Sequence, residues 1–415
     1  MFYGWWIVSA SFFVALYIAG AVFYGFTAIF EPIANELGWS HTQISLASSL
    51  RGLEVGLLAP IIGILVDRWG PRRLIFSGAI VIAGGLIFLS RATSLGTFYG
   101  AFALMAIGTS CCSMTVLMTV VANWFRKNMG IASGIVVSGF GFGGLLVPVI
   151  VRLIEVYDWR ITMTILAVGM LATVLPLSLV LRHKPEQYGY LPDGRVEGSV
   201  TFDNGPGLSQ AVEVEVTAKQ ALKSNTFWRL ALAFMFHIMV ISATVTHVMP
   251  YLSSIGFARA RASLMATAIP LTSIGGRLSF GWLGDKVNRR LIAVIAFAMM
   301  GLGMLCFGYA SSAGTWLLVP FLVLFGIGYG GSNVLRPSLV REYFGRANFG
   351  SILGLMLGIN MIGGIIGPPL AGWVYDNWGS YQGIWFVFAG LSMVALISVL
   401  TIHPASTAVE RTDKA

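Results

Sequence analysis

Six ionisable side chains lie inside long apolar stretches of this sequence: Arg51, Glu54, His237, His247, Arg277 and Arg336. In hydrocarbon each costs several kcal/mol unless it meets a partner or faces a water-filled path, so each is a candidate for function. Arg277 leads the set. It follows Pro270, Ser273 and Gly276, and no acidic residue stands three or four positions from it, so its own helix supplies no ion pair. A guanidinium facing a cavity is a receptor for a planar carboxylate, which it grips with two parallel hydrogen bonds. The competing reading is an arginine that bonds the backbone carbonyls of a neighbouring helix.

The other five are less decisive. Arg51 and Glu54 are three apart and share a helical face, where they either neutralise each other or line a path and change partners. Arg336 either snorkels towards a nearby helix end or joins Tyr329 and Asn333, at i, i+4 and i+7 spacing, on one inward face. His247 precedes Pro250 and suits proton handling or substrate bonding, or else a satisfied contact between helices; His237 reads as structural. Tyr17 and Tyr24 are seven apart on the first helix, and either present hydroxyls inward or pack as ordinary aromatics.

The elements that must position these residues are membrane helices. The chain of 415 residues is 56% hydrophobic and 10% charged, with a mean hydropathy of +0.81. No water-soluble fold of this size hides that much apolar surface. Runs long enough to span about 30 Å of hydrocarbon recur throughout. They predict twelve helices near 5–30, 41–66, 74–92, 97–122, 129–153, 160–181, 227–253, 262–284, 289–310, 315–341, 348–373 and 381–403. The 50 glycines read as helix-packing surfaces, notably Gly139 to Gly144 and Gly363-Gly364. The first of these strings lies in an apolar helix with no Lys-Ser/Thr after it, so it is not a phosphate loop. Cys111, Cys112 and Cys306 read as small packing residues, without a disulfide framework, metal or cofactor. The formal charge of +9 sits at helix ends in no continuous stripe, which argues against nucleic acid as a partner.

A polar, proline-containing stretch from 183 to 224 divides the chain into an N-terminal six-helix half (1–182) and a C-terminal half (225–404), followed by a tail (405–415). A short amphipathic helix is predicted near 216–223. The halves echo each other. Asp67 to Asp285 is 218 residues, Tyr157 to Tyr375 is 218, and Trp124 to Tyr343 is 219, the mark of a duplicated unit. Lys and Arg in short loops favour one side, ten against five. This predicts a multi-pass cell-membrane protein with both termini cytoplasmic. The first six residues carry no basic n-region, so no cleavable signal peptide is expected.

Two loops carry a repeated motif. Gly63, Asp67, Arg68, Gly70, Arg72 and Arg73 are echoed by Gly281, Asp285, Lys286, Asn288, Arg289 and Arg290. Carboxylates at these helix ends, beside basic residues such as Arg68 and Arg126, read as a gate that holds one transporter state closed; plain topology signalling is the alternative. This pattern resembles the loop signature of the major facilitator superfamily. The resemblance covers the whole chain and implies two pseudo-symmetric six-helix bundles around a central substrate site. Tyr3-Gly4-Trp5-Trp6 and Asn123-Trp124-Phe125-Arg126-Lys127 to Gly134 are similar to signatures of the monocarboxylate transporters and of bacterial oxalate/formate antiporters.

The resemblance implies that Arg277 is the substrate-binding arginine of helix eight, and that Tyr24 and Tyr329 match pocket aromatics of helices one and ten. Tyr24, Tyr329, Asn333 and Phe142 are then expected to enclose the non-carboxylate end of the substrate. The sequence also departs from the family. Phe23 to Phe26 holds no helix-one lysine, Ser273 stands where animal monocarboxylate transporters carry an aspartate, and 353–360 lacks the antiporters' helix-eleven lysine.

The expected protein is therefore a secondary transporter that functions as a monomer. It carries small monocarboxylates of the lactate or pyruvate type together with a proton, with His247 or Glu54 as the titrating group. An oxalate/formate-like exchanger is the alternative. With one central cation, Arg277, monoanions are the expected cargo. No zincin, Gly-x-Ser-x-Gly or clustered nucleophile and base suggests an enzyme, and no selectivity filter suggests a channel.

Overall fold

The computed structural model describes residues 2–125, 129–183, 185–188, 217–284, 286–345 and 349–402. The side chains of 51–57, 59, 60, 63, 64, 67, 122, 129, 130, 186, 187, 218, 349 and 350 are outside that description. The described residues are helical throughout, and 10 helices are long and apolar enough to cross a membrane. Two further helical stretches, His41–Leu57 with Ala59–Trp69, and Arg259–Gly284, carry the charges Arg51, Glu54, Arg259, Arg261 and Arg277, which lower their hydropathy. The seventh predicted segment forms Asn225–Ser254, the eighth Arg259–Gly284, the tenth Leu318–Phe344, the eleventh Phe349–Trp378 and the twelfth Gln382–Leu400. A short helix, Ala218–Lys223, forms where the amphipathic one was predicted, and a capping box between Thr217 and Gln220 starts it.

The chain divides into two compact units. Unit 1 holds Met1–Gly205 with Val248–Thr267; unit 2 holds Pro206–His247 with Ala268–Ala415. Helices seven and eight are thus each shared between the units.

In unit 1, helix one (Gly4–Leu37) crosses helix five at small residues. A Cβ on Gly143 would meet Ala19 Cβ at 2.7 Å and Gly20 N at 2.8 Å, and one on Gly139 would meet Phe12 Cδ2 at 3.0 Å. Gly139 and Gly143 thus act as the packing surface expected of them. Both helices leave α geometry at the crossing. Helix one contains a π segment, Ala19–Tyr24, and helix five a 3-10 turn, Gly143–Leu145. At the other end of unit 1 the two signature segments meet. Tyr3 donates its hydroxyl to Val180 O (2.9 Å), Trp124 its indole N–H to Arg182 O (3.0 Å), and Asn123 its amide to His183 O (3.0 Å). Arg182 stacks 3.9 Å over Tyr3. These residues bind the carbonyl of Val180, the last residue of helix six, and two carbonyls just beyond it.

The repeated motif folds similarly in its two copies, through different chemistry. Gly70, at φ +76, precedes Pro71 and the helix Pro71–Ser90, in a backbone conformation that residues with a side chain rarely adopt. Asn288 holds the equivalent place and caps Arg290 N with its side chain at 2.9 Å. The Tyr-Asp repeat does diverge. Asp158 breaks the chain at φ +78, whereas Asp376 is inside the helix that runs to Trp378.

In unit 2, Gly363 and Gly367 of helix eleven press on the backbone of Met235 and Met239 in helix seven, and Gly328 of helix ten on Ala296 and Met300 of helix nine. Gly330 of helix ten touches the Ser273 carbonyl of helix eight, whereas Gly354 has open space around it. Gly330→Leu is therefore expected to lower the detergent melting temperature sharply, an overpacking cost of about 1–3 kcal/mol or more. Gly354→Leu should leave it unchanged; equal melting curves for the two would show that this crossing does not hold the unit together.

Candidate substrate site

Helices eight and ten position the residue read as the carboxylate receptor. Gly326 lies against Thr272 and Ile269, Gly330 against Ser273, and Gly331 against Phe280. The order of these pairs shows that the two helices run parallel. A Cβ on Gly276 would strike the Ile327 carbonyl, so backbones are in contact there. This crossing holds the half-buried Arg277 with its guanidinium carbon 6.0 Å from the Tyr329 ring centroid, the outer limit of a cation–π contact. Tyr329 itself is buried.

One turn on, Asn333 Nδ2 donates to Tyr329 O (3.2 Å), which leaves its Oδ1 to accept from Arg336 Nη2 (3.0 Å). Arg336 is 8% exposed and lies 5.2 Å over the Phe234 ring, so it faces into the unit and does not snorkel. Its Nε has no hydrogen-bond partner among the described residues. His237 of helix seven, 1% exposed, sets Nδ1 against Met300 Sδ at 3.1 Å. Its ring is 6.5 Å from that of Tyr329, and Asn333 and Arg336 are its polar neighbours.

Unit 2 therefore brings together Arg277, Tyr329 and Asn333, and adds Arg336 and His237. The i, i+4, i+7 spacing pointed to Arg336. Nothing in the sequence linked His237 to it, because the two are on different helices.

His247 is placed differently from a proton carrier on an open path. It is fully buried, with Nε2 2.9 Å from Pro368 O and Nδ1 3.0 Å from the Tyr381 hydroxyl. A carbonyl only accepts, so Nε2 carries the hydrogen and Nδ1 accepts from tyrosine. The ring ties helix seven to helices eleven and twelve, and Tyr381 in turn stacks on Tyr375 and Trp385.

The pair on helix one also separates. The π segment between Tyr17 and Tyr24 inserts about one residue, a rotation of roughly 100°, so seven-residue spacing no longer means one face. Tyr17 donates its hydroxyl to Leu166 O at 2.8 Å and serves helix packing. Tyr24 packs on Phe23 and Phe140, and Phe142 on Phe12, all within unit 1. Arg68 is exposed. The side chains of Arg51, Glu54 and Asp67, and residues Arg126 and Asp285, lie outside the described residues.

The segment Val248–Thr267 joins helices one and five in unit 1 through polar contacts. Met249 N–H donates to Thr27 Oγ1 (3.2 Å), Ser253 to Glu31 Oε2 (3.0 Å), Arg259 to Ala28 O (2.8 Å) and Thr267 to Gly144 O (2.9 Å). A conformational change that frees these ends must exchange four hydrogen bonds whose partners come from two distant parts of the chain.

The model of the Major Facilitator Superfamily matches residues 12–276 and 248–415. The chain is 28% identical over 416 residues to monocarboxylate transporter 12-B of Danio rerio, covering 95% of this chain and 85% of that one. It is 26% identical over 411 residues to monocarboxylate transporter 13 of Bos taurus, covering 97% and 89%. Among solved structures, a point mutant of the nucleoside transporter NupG superposes with a TM-score of 0.71 at 16% identity, covering 96% of this chain and 99% of that one. At that identity the likeness is one of fold.

The two bonds of His247 set an expected outcome. His247→Ala leaves a buried carbonyl and hydroxyl each without its ring partner, and interhelical bonds in membranes are worth about 0.6–2 kcal/mol each. A lower melting temperature is expected, partly restored in His247→Gln, while the pH profile of transport by His247→Gln stays that of the wild type. A flattened pH profile at wild-type stability would return His247 to the proton path.

Proposed function

This chain belongs to the Major Facilitator Superfamily, and we propose that it is a secondary transporter of small monocarboxylates, of the lactate or pyruvate type, with Arg277 as the carboxylate receptor. It is a multi-pass membrane transporter with a small-molecule substrate, not an enzyme. The observation that carries the carboxylate reading is the glycine-tight crossing of helices eight and ten, which presents Arg277 beside Tyr329 inside unit 2. The names of the monocarboxylate transporters that it resembles along nearly its whole length support the same class.

Counted with His41–Trp69 and Arg259–Gly284, the spans number twelve, in two six-helix halves, with both termini on the cytoplasmic side of the cell membrane and a single chain as the working unit. Transport proceeds by alternating access. Asp67, Arg68, Arg126 and Asp285 close one side, and release of Val248–Thr267 from helices one and five opens the other. Within unit 2, Tyr329 and Asn333 shape the pocket beside Arg277.

Uptake of a monoanion stays electrically neutral when a proton accompanies it, so the proposed mode is proton symport. With both nitrogens of His247 engaged in helix contacts, Glu54 is the preferred titrating group.

Proteoliposome uptake of a labelled monocarboxylate tests this. Arg277→Ala is expected to abolish transport. Arg277→Lys is expected to lose most of it, because an ammonium cannot reproduce the planar two-bond grip. An inward proton gradient should accelerate initial rates. If collapsing the gradient changes nothing while preloaded substrate still accelerates uptake, the protein is an obligate exchanger, and the symport reading fails.

A further inference from the structure

Beyond the carboxylate receptor, the described residues of unit 2 include buried polar groups that the proposed chemistry does not use. Arg336 is 8% exposed, His237 1% and Asn360 2%. Among the described residues, Arg336 Nε and both amide atoms of Asn360 have no hydrogen-bond partner, while His237 meets Met300 Sδ and the Asn333 side chain. Buried polar atoms in native proteins are nearly always satisfied, and in a site they mark where a ligand or water completes them. A guanidinium offers five donors, and the Asn333 bond uses one of them.

Their placement is not scattered. Arg336, Asn333 and Tyr329 follow one face of helix ten, and His237 neighbours both Asn333 and Arg336 from helix seven. On helix eleven, Ile352, Met356 and Asn360 are successive i+4 positions. Ile352 and Met356 pack in the same core cluster as Phe234 and Leu335. Asn360 therefore continues, by one turn, the face of helix eleven that packs towards the Arg336 region. Depth agrees. Helices seven and eleven run parallel, with Gly363 on Met235, so Asn360 lies about a turn from that level.

Arg277 and Arg336 share a neighbour in Tyr329: the Arg277 guanidinium carbon is 6.0 Å from its ring centroid, and Arg336 interacts electrostatically with the same side chain. The backbone of Arg277 lies against Gly330, six residues before Arg336, an axial distance of about 9 Å. Two flexible arginine side chains shorten that gap to what a chain of a few carbons spans.

We propose that Arg336, held by Asn333 and flanked by His237, is a second subsite that receives an oxygen acceptor at the far end of a substrate whose carboxylate is on Arg277. This inference rests on the carboxylate reading above and extends it to the far end of the cargo. The preferred cargo is a short carboxylate bearing a second acceptor, either a hydroxyl or oxo group or a second carboxylate, and the unsubstituted acid of equal length is a poor substrate. The single-cation argument for monoanions does not hold here, because Arg336 reaches the same polar cluster. The physical basis is asymmetric. A site built to bond a polar group rejects an analogue without it, because the buried donors are then left unmet.

The test is competition in proteoliposome counterflow among butanoate, 3-hydroxybutanoate and butanedioate. The wild type is expected to favour either or both of the last two over butanoate by about tenfold or more, the size of one lost bond to a charged group. Arg336→Met, close in volume and uncharged, is expected to erase that preference while butanoate still competes; Arg336→Lys should keep part of it. If Arg336→Met does not fold, Asn333→Leu, which removes the bond that orients Arg336, should reduce the preference instead. Equal competition by all three in the wild type, or a preference unchanged in the variant, overturns the second subsite and leaves the carboxylate reading standing. Failure of every carboxylate to compete overturns that reading and this inference with it.

Discussion

The absence of a side chain at Gly276, Gly326 and Gly330 is the constraint on which the candidate site depends. Lipid tails are as apolar as leucine, so helices in a bilayer gain little from hiding apolar surface and associate through close packing. At this crossing the backbones of helices eight and ten touch, and a Cβ at Gly276 or Gly330 would overlap a carbonyl. Contact that close fixes register as well as distance. Gly330 lies against Ser273 and the Arg277 backbone, so Arg277 cannot slide relative to Tyr329. Helix ten is also held from another side, where Gly328 presses on Ala296 and Met300. With those faces committed to backbone contact, Tyr329, Asn333 and Arg336 share a third face, which meets helices seven and eight.

Much of this was legible in the sequence because it depends on local periodicity and composition. Apolar runs marked the helices, glycine strings marked packing surfaces, and the i, i+4, i+7 spacing placed Tyr329, Asn333 and Arg336 together. What was not legible depended on departures from α geometry or on partners far along the chain. The reading of Tyr17 with Tyr24 assumed 3.6 residues per turn, and a π segment between them broke that assumption. The partners of His247 are 121 and 134 residues away, a separation at which periodicity carries no information. Snorkelling by Arg336 was a fair reading of its nearness to a helix end; the Asn333 carbonyl and the Phe234 ring, within the unit, hold it instead.

The signature segments show how one motif can serve structure in a protein whose function lies elsewhere. Tyr3, Asn123 and Trp124 all deliver donors to carbonyls at the end of helix six, beyond which the polar linker begins. Those carbonyls have no further helical turn to receive, and at a membrane boundary an unmet carbonyl is costly. The segments that most sharply suggested a branch of the family are thus bound to finishing a helix. The chemistry proposed for that branch depends instead on Arg277, far from these contacts in the sequence.

Charge gives the final link between fold and mechanism. From helix seven to helix twelve the sequence places its acids, Asp285, Glu342 and Asp376, near helix ends, and the arginines Arg277 and Arg336 at depth. Two guanidinia on neighbouring turns of one bundle raise each other's cost of leaving water. An anion shared between them lowers that cost at both stations, and lowers it most where water is most excluded, in the closed intermediate of the cycle. On the proposed mechanism the bound substrate is therefore part of the electrostatics of the moving protein. The same pair of arginines that selects the cargo makes the loaded form the easier one to reorient.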